Sequence, residues 1–244
     1  DGTATIQVDT DDGNGGTASQ TLNIDINDAP EVSSINRGAT PGSNPTNADS
    51  VEFDVTFSEN VTGVDASDFT IATTGGASTS NGDADISVGG SGSSYTVSLA
   101  NVTGDGTITV DLADDDTIIS DDGHGTPLGG VGTSGAADGS RFGDQDFTVD
   151  HSAPTLAGTA STNFAENGTG TVLDIDADDG DLGGADAGVG YTITGGTDQA
   201  NFSINASNGQ LTFDTAPDFE NSADSNTGND YVVEVTATDG VGNT

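Results

Sequence analysis

The chain has 244 residues and a formal net charge of −39, with Arg37 and Arg141 as its only lysine- or arginine-type cations. Nucleic acid and anionic membrane are thereby excluded as partners, because the phosphate contacts that dominate those affinities need Lys and Arg. Cysteine is absent, and hydrophobic residues make up 31% of the chain and aromatic residues 5%, so a thin core would need a metal rather than a disulfide as its staple.

Low hydrophobicity with high net charge is also the signature of disorder, but period-2 patterning runs through the chain and argues against it. In chain order, apolar residues alternate at Ile6/Val8, Leu22/Ile24/Ile26, Val51/Phe53/Val55/Phe57, Tyr95/Val97/Leu99 and Ile108/Val110/Leu112. The pattern continues at Phe147/Val149, Tyr191/Ile193, Leu211/Phe213 and Tyr231/Val233/Val235. Gly, Asn, Asp and Ser clusters separate these segments, and no window of a dozen residues has a helical period. The pattern predicts an all-β protein built of sandwiches.

Pro30 and Pro154 mark two boundaries, each ending a similar phrase between strands (Asn27-Asp28-Ala29-Pro30 and Asp150-His151-Ser152-Ala153-Pro154). Proline cannot extend the ladder of a preceding strand and stiffens the crossing. Three segments result: 1–29, 30–153 and 154–244. An internal repeat relates the first to the last. Ile6–Gly13 aligns without gaps on Val233–Gly240, and Gly15 and Thr17 then match Gly242 and Thr244. Segment 1–29 is thus expected to be the last two strands of a preceding repeat plus its linker. Segment 154–244 is expected to lack the strand corresponding to Thr17–Ile26. The chain opens in the middle of a strand pattern and has no signal peptide and no apolar run of membrane-spanning length, so it reads as a piece of something longer with no membrane insertion.

Of the 41 acidic residues only six are glutamate. The aspartates bunch beside Gly and Asn at strand ends: Asp25 to Pro30, Glu166, Asp176 to Asp181, Asp218 with Glu220, and Asp239. Short carboxylates gathered there make oxygen cages for a hard divalent cation, of which Ca²⁺ is the usual occupant. A salt-adapted surface would instead spread Asp and Glu over exposed faces. Asp-Gly and Asn-Gly pairs are also ordinary turn formers, which is the plain reading of any single Asp outside these clusters.

These phrases resemble, in order and composition, the calcium motifs of cadherin-like repeats. Segment 154–244 is similar to a bacterial cadherin-like repeat in five places. Glu166 fits the first-strand Glu, and Asp176 with Asp178 the Asp-x-Asp pair, with Asp179 and Asp181 as an alternative register. Tyr191–Gly196 and Phe202–Ile204 with Asn208–Leu211 fit the middle strands. Asp218 and Glu220 fit the acidic pair, with Phe219 in place of the family's basic residue, and Asp239 fits the end of the penultimate strand. In segment 1–29, Asp12 is equivalent to Asp239, and Asp25, Asn27 and Asp28 form the linker motif. Segment 30–153 resembles the immunoglobulin-like repeats of large bacterial surface proteins, through Ser34–Arg37, Pro45–Val51, Val55–Asp65, Asp68-Phe69, Gly104–Thr107 and Asp150–Pro154. It departs from them between Asp114 and Gly143, in a long Asp- and Gly-rich loop with room for an extra ion or a contact surface.

The resemblance implies an elongated array of tandem Greek-key sandwiches, cadherin-like and immunoglobulin-like, with ions at the junctions. Asp12, Asp25, Asn27 and Asp28 are expected to face Glu59 and the Asp121/Asp122 loop across the first linker. Asp150 is expected to face Asp176, Asp178 and Asp239 across the second, while Glu166, Asp218 and Glu220 point toward a further domain. Each Ca²⁺, needing 6–8 oxygens, then locks two domains at a fixed angle.

His124 and His151 are far apart without Cys, as expected of loop histidines, and nothing resembles a base-positioned nucleophile. The Asn-x-Ser/Thr sequons at Asn60, Asn101, Asn167, Asn201 and Asn205 are expected by chance in so Asn- and Thr-rich a chain. The expectation is a non-enzymatic, calcium-rigidified stretch of a large extracellular, cell-surface bacterial protein, acting as an extender in adhesion. Its partners are neighbouring repeats of the same protein. One alternative is a filament or surface-layer subunit assembled with other copies by strand exchange. Another is an accessory carbohydrate-binding module, for which Tyr95, Tyr191 and Tyr231 are the only non-phenylalanine aromatics, all in strand patterns.

Overall fold

The computed structural model describes residues 2–26, 28–129, 139–157, 161–180 and 188–244. Its regular structure is β-strand with three short 3₁₀ turns, and the chain divides into two compact units, Asp1–Val149 and Asp150–Thr244.

The first unit opens with a hairpin, β1 (Gly2–Asp11) and β2 (Thr17–Ile26), antiparallel from Gly2 opposite Ile26 to Asp11 opposite Thr17. Alternation places Ile6, Val8, Leu22 and Ile24 on one face of this ribbon. They remain 46%, 52%, 50% and 43% exposed, so no second layer covers that face among the described residues.

The rest of the unit is a sandwich. β3 (Val32–Arg37), β4 (Val51–Thr62), β5 (Phe69–Gly75), β6 (Ser78–Thr79), β7 (Ile86–Leu99), β8 (Val102–Thr103), β9 (Gly106–Leu112), β10 (Ile119–Ser120) and β11 (Phe147–Val149) follow in order. β4 pairs with β3, β7 and β10 in one sheet, while β5 and β11 flank β9 in another, and β6 pairs with β8. Alternate residues Val51, Phe53, Val55 and Phe57 of β4 turn inward, as do Val97 and Leu99 of β7 and Ile108, Val110 and Leu112 of β9. Burying each such side chain contributes about 1.5–3 kcal/mol. Phe53 meets Phe147 edge-on at 5.4 Å, and Phe57 meets Tyr95 at 5.8 Å. The buried Tyr95 hydroxyl donates to Val61 O at 2.9 Å, so its polar tip is satisfied. From the long loop after β9, Ile118 and Leu128 are buried in the same core, and residues 130–138 lie outside the described residues.

In the second unit, β12 (Thr155–Leu156) pairs with β14 (Ala177–Asp178), β13 (Thr171–Asp174) and β16 (Phe202–Ile204) flank β17 (Gln210–Phe213), and β15 (Gly190–Gly195) pairs with β18 (Glu234–Thr238). Its core is smaller. Ala177, Val189, Tyr191 and Ala237 are buried, with Ile175, Ile204 and Val235 packed against them. Phe213 is the hub of an aromatic cluster, 4.4 Å from Phe202, 4.9 Å from Tyr231 and 5.6 Å from Phe164. This cluster explains why the strand expected from Tyr231 begins only at Glu234: the Tyr231 ring packs on Phe202 and Phe213, and its hydroxyl accepts the Ala223 N–H at 3.1 Å. Gly209 is required for close approach. Its φ is +67°, and a Cβ there would lie 2.0 Å from Ile175 O. That contact lets Ile175 N donate to Gly209 O at 3.2 Å, fixing the bend between β13 and β14.

Candidate metal centres

Two groups of three carboxylates form among the described residues, both in the second unit, each with one oxygen per residue all within 4.8 Å of one another. The first joins Asp150, Asp179 and Asp239, which are 4%, 7% and 7% exposed. Asp239 ends β18 and closes a turn: its N–H donates to Asn243 O at 3.1 Å. Its Oδ1 accepts the N–H groups of Val241, Gly242 and Asn243 at 2.8, 2.6 and 2.9 Å. The Asn243 amide donates both to Asp239 Oδ2 at 2.7 Å and to Asp150 O at 3.1 Å, tying the first residue of the unit to this turn. Asp150 Oδ1 accepts the Ser152 N–H at 3.2 Å.

Asp179 is placed by β14. Ala177 is buried, and its N–H donates to the Tyr191 hydroxyl at 2.8 Å. Alternation about that inward residue leaves Asp176 and Asp178 exposed. The turn beyond, where Asp178 Oδ1 accepts the N–H of the left-handed Gly180 at 2.9 Å, carries Asp179 inward. Within this run it is Asp179, not Asp176 or Asp178, that joins Asp150 and Asp239. Asp181 lies outside the described residues.

The second group, Glu166, Asp218 and Glu220, is exposed. Asn167 N donates to Pro217 O at 2.7 Å, which holds the two loops together, and Asp218 Oδ1 accepts the N–H groups of Glu220 and Asn221 at 3.0 and 3.2 Å.

Among the described residues, Asp12, Asp28, Glu59, Asp121 and Asp122 of the first unit form no such group. Asp12 and Asp122 are engaged in their own turns. Asp12 Oδ1 accepts from Asn14 N and Gly16 N, and Asp122 Oδ1 from the Ser120 hydroxyl and His124 N. Those hydrogen bonds hold both carboxyls below the usual aspartate range. Glu59 keeps one oxygen, Oε1, buried with no hydrogen-bond donor among the described residues. Asn27 and the side chain of Asp25 lie outside the described residues.

Sequence reasoning missed Asp198 and Asp224, both buried. Asp198 accepts from Ser225 N at 2.6 Å and Val232 N at 2.8 Å, and Asp224 from Gly228 N at 2.9 Å, Asn229 N at 3.1 Å and the Ser222 hydroxyl. Their setting in a Ser-, Asn- and Gly-rich run was the available signal, since such residues cap turns with their side chains. Tyr95 and Tyr191 are buried and Tyr231 packs in the aromatic cluster, so no tyrosine platform for a sugar lies on the described surface.

The donor sets suit a hard cation. Three buried carboxylates in mutual range repel one another, and the second unit contains no Lys or Arg to neutralise them. Carboxylate oxygens as the donors match Ca²⁺ rather than a thiolate- or imidazole-seeking metal.

No protein-family model matches the chain. Over 79 residues it is 43% identical to halomucin of Haloquadratum walsbyi, a match covering 32% of this chain and 1% of that protein. The chain therefore spans a very small part of this far longer relative. Among solved structures, it is similar to the protocadherin GammaB4 extracellular domain, with TM-score 0.32 and 19% identity over 89% of this chain and 33% of the other. Extracellular cadherin domains 3–6 of protocadherin Gamma B2 give TM-score 0.31 and 16% identity over 89% and 50%. Both likenesses are distant, so the functional assignment rests on the chain's own residues.

Proposed function

We propose that this chain is a structural, non-catalytic stretch of tandem β-sandwich repeats from a large extracellular protein, stiffened by Ca²⁺ and serving as an extender in adhesion at a cell surface. The observation that carries the reading is the buried triad of Asp150, Asp179 and Asp239 in a unit without lysine or arginine. Asp150 begins the second unit directly after Val149, a core residue of the first. An ion held there fixes the entry of the unit against the turn at Asp239 and the end of β14. Glu166, Asp218 and Glu220 supply a second, open site that a neighbouring repeat completes. The local identity with a protein vastly longer than this chain supports the repeat-region reading.

Calorimetry with calcium and with chelator tests this, together with calcium titration. The expected result is two unfolding transitions, of which only that of the second unit rises with Ca²⁺. Identical transitions in both conditions, with no heat of calcium binding, would defeat the proposal.

A further inference from the structure

Four Asn-Gly pairs lie in the chain, beginning at Asn14, Asn81, Asn167 and Asn208. Such a pair is chemically reactive. The glycine nitrogen, in a backbone unhindered by a Cβ, can swing onto the carbonyl carbon of the asparagine side chain if both groups are at liberty to meet. The structure ties down three of the four. Gly168 N donates to Ala165 O at 3.1 Å, and Gly209 N to Asn205 O at 3.0 Å. The Asn208 side-chain oxygen also accepts the Gln210 N–H at 3.3 Å. At Asn81 the side-chain amide itself is held, its Nδ2 donating to Asp85 Oδ1 at 2.9 Å while the backbone N–H donates to Asp85 Oδ2 at 2.8 Å.

Asn14 stands apart. It lies in the turn between β1 and β2, where residues 11–20 are all exposed. Neither its side chain nor the Gly15 N–H has a hydrogen-bond partner among the described residues. Gly15 has a φ of +91° and nothing within 4 Å of where a Cβ would lie, so no neighbour obstructs its movement. The adjoining Asp12-Gly13 pair, open in principle to the same attack, is protected twice. Gly13 N donates to Asp11 Oδ1 at 2.8 Å, and Asp12 Oδ1 accepts the N–H groups of Asn14 and Gly16 at 2.8 and 3.0 Å. Those bonds hold the Asp12 carboxyl below the usual range, so it stays ionised and is a poor electrophile.

We infer that Asn14 is a site of spontaneous covalent modification, with water as the co-reactant. Gly15 N bonds to Asn14 Cγ, and its proton departs with the side-chain nitrogen as ammonia, closing a cyclic imide. Water then opens the imide. Opening at one carbonyl gives aspartate; opening at the other gives isoaspartate, in which the main chain runs through the former side chain. Both products add a carboxylate beside Asp11 and Asp12. The isoaspartate also inserts an extra main-chain carbon before Gly15. The turn is closed by Asp12 N on Gly16 O at 3.0 Å and by Asp12 Oδ1 on Gly16 N, and the longer chain displaces Gly16 from both. The hairpin turn thus loosens irreversibly with the age of the chain, independently of ion binding.

Peptide mapping by mass spectrometry, on the unmodified chain incubated in mildly alkaline buffer, reads the conversion at each pair. A group held by a hydrogen bond must first be released, so Asn14 should convert about tenfold faster than Asn81, Asn167 or Asn208. Asn14→Gln should abolish conversion in its peptide and leave the other three unchanged. In isoaspartate-containing chains the Gly16 N–H should exchange with solvent about tenfold faster than in fresh protein. Freshly prepared Asn14→Asp, with the added charge but no extra carbon, should exchange there at close to the parent rate. Equal conversion at all four pairs, or none at Asn14, overturns the inference. Rapid conversion with unchanged exchange at Gly16 overturns the loosening of the turn.

Discussion

The Tyr191 hydroxyl accepts the N–H of Ala177 at 2.8 Å with both residues buried, so a core tyrosine fixes the strand end two residues ahead of a candidate metal ligand, Asp179. Tyr191→Phe keeps the ring and orphans that N–H. The second unit should lose about 1–3 kcal/mol, the cost of leaving a buried donor unsatisfied. Calcium affinity should fall with it, because Asp179 is no longer held in place. Thermal melts and calcium titration on the same variant check both outcomes; unchanged affinity would separate Tyr191 from the site.

Asp179 and Asp239 should respond differently to removal. Asp179→Ala relieves crowding with Asp150 and Asp239, so in chelator the second unit should melt higher than the parent. In calcium the order should reverse, with affinity weakened by about tenfold or more as a carboxylate ligand is lost. Asp239→Ala also strips the acceptor from three backbone N–H groups, and should destabilise the unit in both conditions. Melting curves that move the same way for both variants in chelator would contradict this division of roles.

How much of this was legible in the sequence depends on what fixes each element. Val51/Phe53/Val55/Phe57 and Ile108/Val110/Leu112 announced their strands because one face is buried, and a strand so placed must alternate. The same logic failed at Tyr231, where packing on Phe202 and Phe213 outweighs strand propensity. The resemblance picked out Asp239 and set Glu166 beside Asp218 and Glu220, and the carboxylate oxygens of those last three lie within 4.8 Å of one another. The run from Asp176 to Asp181 was not legible, because spacing cannot say which carboxylate turns inward; that depends on Ala177 being pinned to Tyr191 and on the left-handed Gly180. Asp198 and Asp224 escaped notice because turn-forming aspartates are abundant here and their burial is a tertiary outcome.

Arg141 binds Asp144 through two contacts at 2.7 and 2.9 Å and also donates to Val32 O at 3.0 Å. Asp144 in turn accepts the Ile35 N–H at 2.8 Å. Lysine cannot reproduce the fork. Arg141→Lys should cost the first unit roughly 1 kcal/mol, the modest value expected for a partly exposed pair. Only the first-unit transition should shift in calorimetry.

Acid should act on both units. The Val232 N–H at Asp198 and the Ser222 hydroxyl at Asp224 hold these carboxyls below the usual aspartate range. Their stabilisation is present above about pH 4 and is lost as pH falls through the lowered folded values. Asp68 runs the other way: burial raises its carboxyl, so its contribution is present below about pH 4 and is lost as pH climbs through the raised value. In chelator, lowering pH from about 5 to about 3 should therefore depress both transitions, because hydrogen bonds also hold Asp12, Asp65, Asp85, Asp122 and Asp144 of the first unit low. A transition that stays in place over this range would refute the assignment for its unit.

The disparity between the two cores has a further consequence. Among the described residues, twenty-one buried apolar side chains hold the first unit and six hold the second. A unit with so small an apolar core draws more of its cohesion from hydrogen-bonded turns such as those at Asp198, Asp224 and Asp239, so it is the half of the chain that should open first on warming.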